Sequence, residues 1–196
     1  MSARVCPAME LYLVRHGPVV PVAATAAAFW PLSAGGREAV RSLAQEPRFA
    51  AWTHLLTSPE DKARETAQIL ADHLRIPVQV DDRLREVQLT TGFLSGEEFR
   101  ARVLAYLSGV PDADFEPRAA AMARALAAVR AHRAPGAWAV VSHGRLLALL
   151  AETLVERVTA PHVWSRMAFP DWARIDLPQR ELVRPFAGAC LPGSLS

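Results

Sequence analysis

The chain has 196 residues, 51% of them apolar and 21% charged, with a formal net charge of +2. That length suits one domain with a full core, and so small a charge excludes the electrostatic footprint of a nucleic-acid or membrane-surface protein. Cys6 and Cys190 lie near opposite ends, without metal-ligand spacing and too few for a disulfide framework, which fits a reducing cytoplasm.

In chain order, residues 1–9 hold no long apolar core, so no signal peptide is expected, and no apolar run is long enough to span a bilayer. Glu10–Val14 reads as a buried strand. Residues 18–33, rich in Pro and Ala, read as a long loop or partly helical excursion. Gly36–Gln45 is predicted as a helix and Thr53–Thr57 as a second short strand. Ser58-Pro59-Glu60-Asp61 reads as a helix start, with Ser58 as N-cap, Pro59 at the first position and acids in the first turn. That helix runs to about Leu74, with Ala63, Ala67, Leu70 and Leu74 on one stripe. Val78–Val80 is a third strand. Gly96–Leu107 and Arg118–His132 are predicted helices, the second driven by alanine. After a turn at Pro135-Gly136, Trp138–Val141 is a strand and Arg145–Val155 a helix. Trp172–Asp176 and Glu181–Val183 read as a closing hairpin. Residues 1–9 and 187–196 read as loose termini of a single domain spanning 1–196. Strands alternating with helices predict an α/β fold, a three-layer α/β/α sandwich around a mostly parallel sheet.

Two predicted strands end in the same way: Val14-Arg15-His16-Gly17 and Val141-Ser142-His143-Gly144. If these strands are neighbours, both imidazoles project into one crevice at the carboxyl edge of the sheet. A third strand end, Thr57-Ser58, leads into the helix that carries Lys62. The segment from Asp81 to Glu86 supplies a carboxyl group. Two histidines, two cations and an acid suit phosphoryl transfer through a phosphohistidine, with no metal required. Several residues also have plainer readings. Glu86 could pair with Arg83 or Arg85 on a solvated surface, and Arg145 is expected to pair with Glu152. His54, His73, His132 and His162 read as surface or capping residues, and the five tryptophans as core.

The chain resembles the histidine phosphatase superfamily, also called the phosphoglycerate mutase-like family. The resemblance rests on Leu13-Val14-Arg15-His16-Gly17, Pro31 to Gly36, Thr57-Ser58-Pro59 with Ala63, Thr66 and Ala67, Leu84-Arg85-Glu86, Glu116 with Arg124, and Val141 to Gly144. These occur in the family's order between residues 10 and about 155. The resemblance implies that His16 is the nucleophile that becomes phosphorylated. It implies that Arg15 and His143 hold the phosphoryl oxygens, and that Glu86 protonates the leaving oxygen and then activates water. A carboxyl in that position is expected to have a raised pKa.

Three departures stand out. Lys62 occupies the place where the family carries arginine, and it is the one lysine among 22 basic residues. Lysine still binds phosphate, as a point charge rather than a fork, so Lys62 is expected to contact the phosphoryl group. Residues 18–24 offer no side-chain donor, and residues 87–92 lack the family's acidic and aromatic pattern. The last two point away from sugar phosphates. The expected activity is a metal-independent, cofactor-free phosphatase acting on a small phosphate ester or a phosphoprotein. Phosphoglycerate mutase-type transfer and a catalytically weak phospho-ligand binding protein are the alternatives. Neither nucleic acid nor membrane is an expected partner, and the oligomeric state is open.

Overall fold

A computed structural model describes residues 9–22, 25–91 and 96–187. Six strands form one sheet: β1 (Met9–Arg15), β2 (Trp52–Thr57), β3 (Val78–Val80), β4 (Gly136–Ser142), β5 (Asp171–Asp176) and β6 (Glu181–Arg184). Their spatial order is β3-β2-β4-β1-β5-β6. The four strands from β3 to β1 run parallel, while β5 is antiparallel to β1 and β6 to β5. The central strands β1 and β4 are buried on both faces, and their apolar residues divide accordingly. Leu11, Leu13, Trp138 and Val140 enter one core; Tyr12, Val14, Ala139 and Val141 enter the other. A period of two on a doubly covered strand gives this division.

The helices supply the outer layers. On one face lie α1 (Ala34–Leu43) and α2 (Asp61–Leu74), which contribute Val40, Ala63, Ala67 and Leu70 to the second core. On the other lie α3 (Gly96–Leu107), α4 (Arg118–Ala131), α5 (Gly144–Leu154) and α6 (Ala160–Arg166). The architecture is the expected three-layer α/β/α sandwich. Among the described residues no helix is long and apolar enough to cross a membrane.

Some elements differ from the sequence expectation. α1 starts at Ala34, because the Ser33 hydroxyl caps it by accepting from the Gly36 amide at 2.9 Å. Gly36 also fits a tight place, since a Cβ there would stand 2.2 Å from the Pro18 carbonyl oxygen. α2 starts at Asp61, not at Pro59, and Ser58 is not its N-cap. The Ser58 amide continues the sheet by donating to Val141 O, and Glu60 is still extended. α6 has no counterpart in the predicted elements; it is seven residues long with proline in its first turn. Of the residues read as loose termini, 1–8 and 188–196 lie outside the described residues. Met9 opens β1, and the Ala187 amide donates to Asp171.

Residues 18–20 and 31–33 meet at the base of the 18–33 stretch. Val19 pairs antiparallel with Leu32, the Val20 amide donates to Pro31 O, and the Ser33 amide donates to Pro18 O. A short 3-10 turn, Ala27–Phe29, rests against the start of α2.

Candidate active site

β1 and β4 are paired neighbours, with Arg15 opposite Ser142. One residue further on, the His16 amide donates to Ser142 O at 3.1 Å, so His16 and His143 leave the sheet edge side by side. Their ring centroids are 5.1 Å apart, and both residues are buried. Nδ1 of His16 lies 2.8 Å from the Gly17 carbonyl oxygen. A carbonyl only accepts, so the proton of the neutral ring belongs on Nδ1 and Nε2 keeps its lone pair. Burial, reinforced by His143, pushes the His16 pKa well below 6.5, and Lys62 and Arg15 push the same way. His16 is therefore a neutral imidazole with a free Nε2 at physiological pH.

His143 Nε2 is 2.8 Å from the Ser58 hydroxyl, which also accepts from the Glu60 amide. This contact explains the buried Ser58 better than helix capping does. Burial lowers the His143 pKa to about 3; Glu86 opposes the shift, while Lys62, Arg145 and Arg15 add to it. Nδ1 of His143 and Nε of Arg15 are buried and make no hydrogen bond to the protein.

The Arg15 guanidinium lies flat against Gly144. A Cβ on that glycine would stand 3.2 Å from Cζ, Nε and Nη2 of the arginine, which is why the second strand also ends in His-Gly. Nη1 of Arg15 donates to Met167 O at 3.0 Å, and the Phe169 ring covers Cζ at 3.3 Å. Burial lowers the Arg15 pKa to about 10, against the fields of Glu86 and Asp171. It stays charged throughout the physiological range.

Glu86 sits at the N-terminus of α5. Its Oε1 accepts from the Val87 and Leu146 amides, at 2.8 and 3.0 Å. Oε2 accepts from the Arg145 amide at 3.3 Å and forms an ion pair with the Nε of Arg145, also at 3.3 Å. Burial pushes the Glu86 pKa up, but Arg145, His143 and the two amides outweigh it and hold the carboxyl down at about 2. This is opposite to the raised value expected from sequence. The cause is the α5 N-terminus and an arginine that sequence reasoning assigned elsewhere. Arg145 pairs with Glu86 and not with Glu152, which instead takes Arg118 and the Ala160 amide. Nor does Glu86 pair with Arg83 or Arg85, whose partners are Asp81 and Glu116.

Lys62 is the second residue of α2 and is buried. Its Nζ donates to the Ala27 carbonyl at 2.7 Å and to Glu60 Oε2 at 2.6 Å. It acts electrostatically on both histidines. Thr66, one turn on, accepts from the Gly17 amide and donates to Lys62 O, which fixes α2 against the end of β1. The other oxygen of Glu60, Oε1, accepts from the Glu86 amide at 2.7 Å and lies 3.6 Å from His143 Nε2. Sequence reasoning read Glu60 as a first-turn acid; the contacts with residues 26 and 83 positions away gave it no local signature.

The remaining histidines stand apart. His132 caps the end of α4 and pairs with Asp81 at 3.1 Å, and His54 stacks on Trp138. Trp52, Trp138 and Trp172 are core residues, while Trp30 and Trp164 are partly buried. Among the described residues no group of three or more His, Cys, Asp or Glu could hold a metal ion.

Known proteins share this fold. A family model described as the histidine phosphatase superfamily (branch 1) matches residues 11–171. A protein named probable phosphoglycerate mutase GpmB, from Yersinia enterocolitica, is 34% identical over 84 residues, 41% of this chain and 39% of its own length. The chain thus matches about two fifths of that relative. The structure named mycobacterial hydrolase 2 superposes with a TM-score of 0.72 at 21% identity, covering 96% of this chain and 94% of that one. Mycobacterial glucosyl-3-phosphoglycerate phosphatase superposes with a TM-score of 0.64 at 22% identity, covering 85% and 89%. With its paired His-Gly strand ends and the family match across residues 11–171, the chain belongs to the histidine phosphatase superfamily.

Proposed function

We propose that the protein is a phosphatase that hydrolyses phosphomonoesters through a phosphohistidine at His16. The observation that carries this reading is the state of His16. It is a neutral ring whose Nδ1 is tied to Gly17 O, beside a second histidine and Arg15. A neutral imidazole with a free Nε2 is a nucleophile, and a buried guanidinium is the charge an incoming phosphoryl group needs.

In this account Nε2 of His16 attacks phosphorus as the bond to the alcohol oxygen breaks. Arg15, Lys62 and His143 hold the phosphoryl oxygens. The unpartnered Nε of Arg15 and Nδ1 of His143 fit that role. Glu86 gives its proton to the departing alkoxide. A phosphoryl dianion beside Arg145 counters the field that holds the Glu86 carboxyl at about 2 and raises its pKa toward that of a donor. Glu86 then takes a proton from water as its oxygen attacks the phosphohistidine. The electron pair returns to His16, and inorganic phosphate leaves. No step calls on a metal.

The name of the curated relative favours a second reading, phosphoglycerate mutase-type transfer, in which the phosphoryl group is retained and passed on. One assay separates the two. Steady-state release of phosphate from p-nitrophenyl phosphate should be abolished, by a factor of about a thousand or more, in His16→Ala. Interconversion of phosphoglycerates without net phosphate release would favour the mutase. Wild-type turnover in His16→Ala would remove the mechanism.

A further inference from the structure

Glu60 is a partly buried carboxylate in the middle of the site that the proposed reaction does not use. It stands among three groups that a phosphoryl ligand would want. Oε2 holds Lys62 at 2.6 Å, while Oε1 takes the Glu86 amide at 2.7 Å and faces His143 Nε2 at 3.6 Å. The other cations are only partly matched, since Nε of Arg15 and Nη1 of Arg145 are buried without a hydrogen-bond partner. Arg145 faces Glu86, and Arg15 lies in the fields of Glu86 and Asp171. Both histidines are neutral by burial. A phosphoryl dianion in this pocket has those two arginine nitrogens to draw on, while Lys62 is already held by Glu60. Once the phosphoryl group has taken those nitrogens, a second anionic group on the alcohol meets the Glu60 and Glu86 carboxylates, and at low dielectric that repulsion is large.

The mouth of the pocket has the opposite character. Phe169 is 45% exposed, and its ring lies 5.3 Å from that of His16 and covers Arg15. It offers an aromatic face where the alcohol of an ester bound at His16 would emerge.

We propose that Glu60 is a specificity-determining residue: by holding Lys62 and facing His143, it restricts the site to phosphomonoesters of uncharged alcohols, with aromatic alcohols favoured by Phe169. This rests on the phosphatase reading and narrows its substrate class. Phosphoglycerates and bisphosphates fall outside that class.

The test compares phenyl phosphate with 3-phosphoglycerate, using the full chain. Glu60→Gln should lower the ratio of kcat/KM for phenyl phosphate over phosphoglycerate about tenfold, mainly through KM for phosphoglycerate. Glu60→Asp, which keeps the charge, should retain the wild-type ratio. Phe169→Ala should raise KM for phenyl phosphate more than for phosphoglycerate. A binding arm needs no turnover: calorimetric titration with inorganic phosphate and with pyrophosphate. Glu60→Gln should tighten pyrophosphate about tenfold more than phosphate. If neither ratio moves in Glu60→Gln, the proposal is overturned even where His16-dependent hydrolysis holds. If the wild type hydrolyses no ester yet Glu60→Gln gains pyrophosphate, the phosphatase reading falls and the charge filter stands.

Discussion

His143 shows how a buried site residue sets both chemistry and stability. Its native pKa is about 3, because burial disfavours the imidazolium. In the unfolded chain the same ring titrates at about 6.5. Between those values the unfolded state binds the proton and the native state does not, so stability falls as pH falls. The slope is about 1.4 kcal/mol per pH unit for each such group. His16, also lowered, acts in the same direction. Glu86 extends the loss further. Its native carboxyl is held at about 2, so the stability it supplies is present above its unfolded value of about 4.3 and is lost on acidification toward 2. Chemical denaturation of wild type and His143→Gln from pH 5.5 to pH 4 should give stability slopes that differ by about 1.4 kcal/mol per pH unit, the wild type being steeper. Parallel slopes would mean that His143 is charged in the native protein.

At the scale of elements, the segment that carries Glu86 has no regular structure of its own beyond the short 3-10 turn Asp82–Leu84. It is held from α4. Arg124 donates to the carbonyls of Arg83, Arg85 and Glu86 at 2.6, 2.8 and 3.1 Å, and to both oxygens of Glu116. From the sheet side, the Ser142 hydroxyl donates to Leu84 O at 2.8 Å. The side chains of Arg124 and Glu116 are 11% and 9% exposed, so this is a nearly buried pair. Removing Arg124 leaves Glu116 with only the Arg85 ion pair and the Gln88 amide, and takes the donor from three carbonyls. Arg124→Ala should cost about 3 kcal/mol, seen as a lower urea midpoint with an unchanged m-value. It should also lower kcat/KM for an aryl phosphate at least tenfold, because Glu86 loses its anchor. An unaltered midpoint would show that α4 does not brace the segment.

At the scale of the whole molecule, what the sequence revealed and what it hid divide by range. The strands ending at Arg15-His16-Gly17 and Ser142-His143-Gly144 were legible because each is a short apolar run cut off by a cation or hydroxyl, an imidazole and a glycine. Their pairing was only a condition in the sequence; the structure meets it, and the register Arg15 to Ser142 brings the two rings together. Misreadings arose where a local rule met a distant partner. Ser58 satisfies every helix-capping preference, yet its hydroxyl is taken by His143, 85 residues on. Arg145 and Glu152 lie in one helix, but each pairs with a residue outside it, Glu86 and Arg118. Glu60 reads as a helix-start acid and is the site's second carboxylate. Lys62 stood out as a lysine where the family carries arginine, and its bond to Ala27 O ties the turn Ala27–Phe29 to α2.

The central claim is that the paired strand ends make His16 a covalent nucleophile. Rapid-quench labelling with a phosphorus-32 aryl phosphate, followed by peptide mapping, tests it most directly. The account predicts a single acid-labile, base-stable phosphoryl adduct on the peptide containing His16. The adduct should form within one turnover, be absent in His16→Ala, and build up in Glu86→Gln, where water lacks its base. Turnover with no adduct on His16, or with the label on another residue, would contradict it.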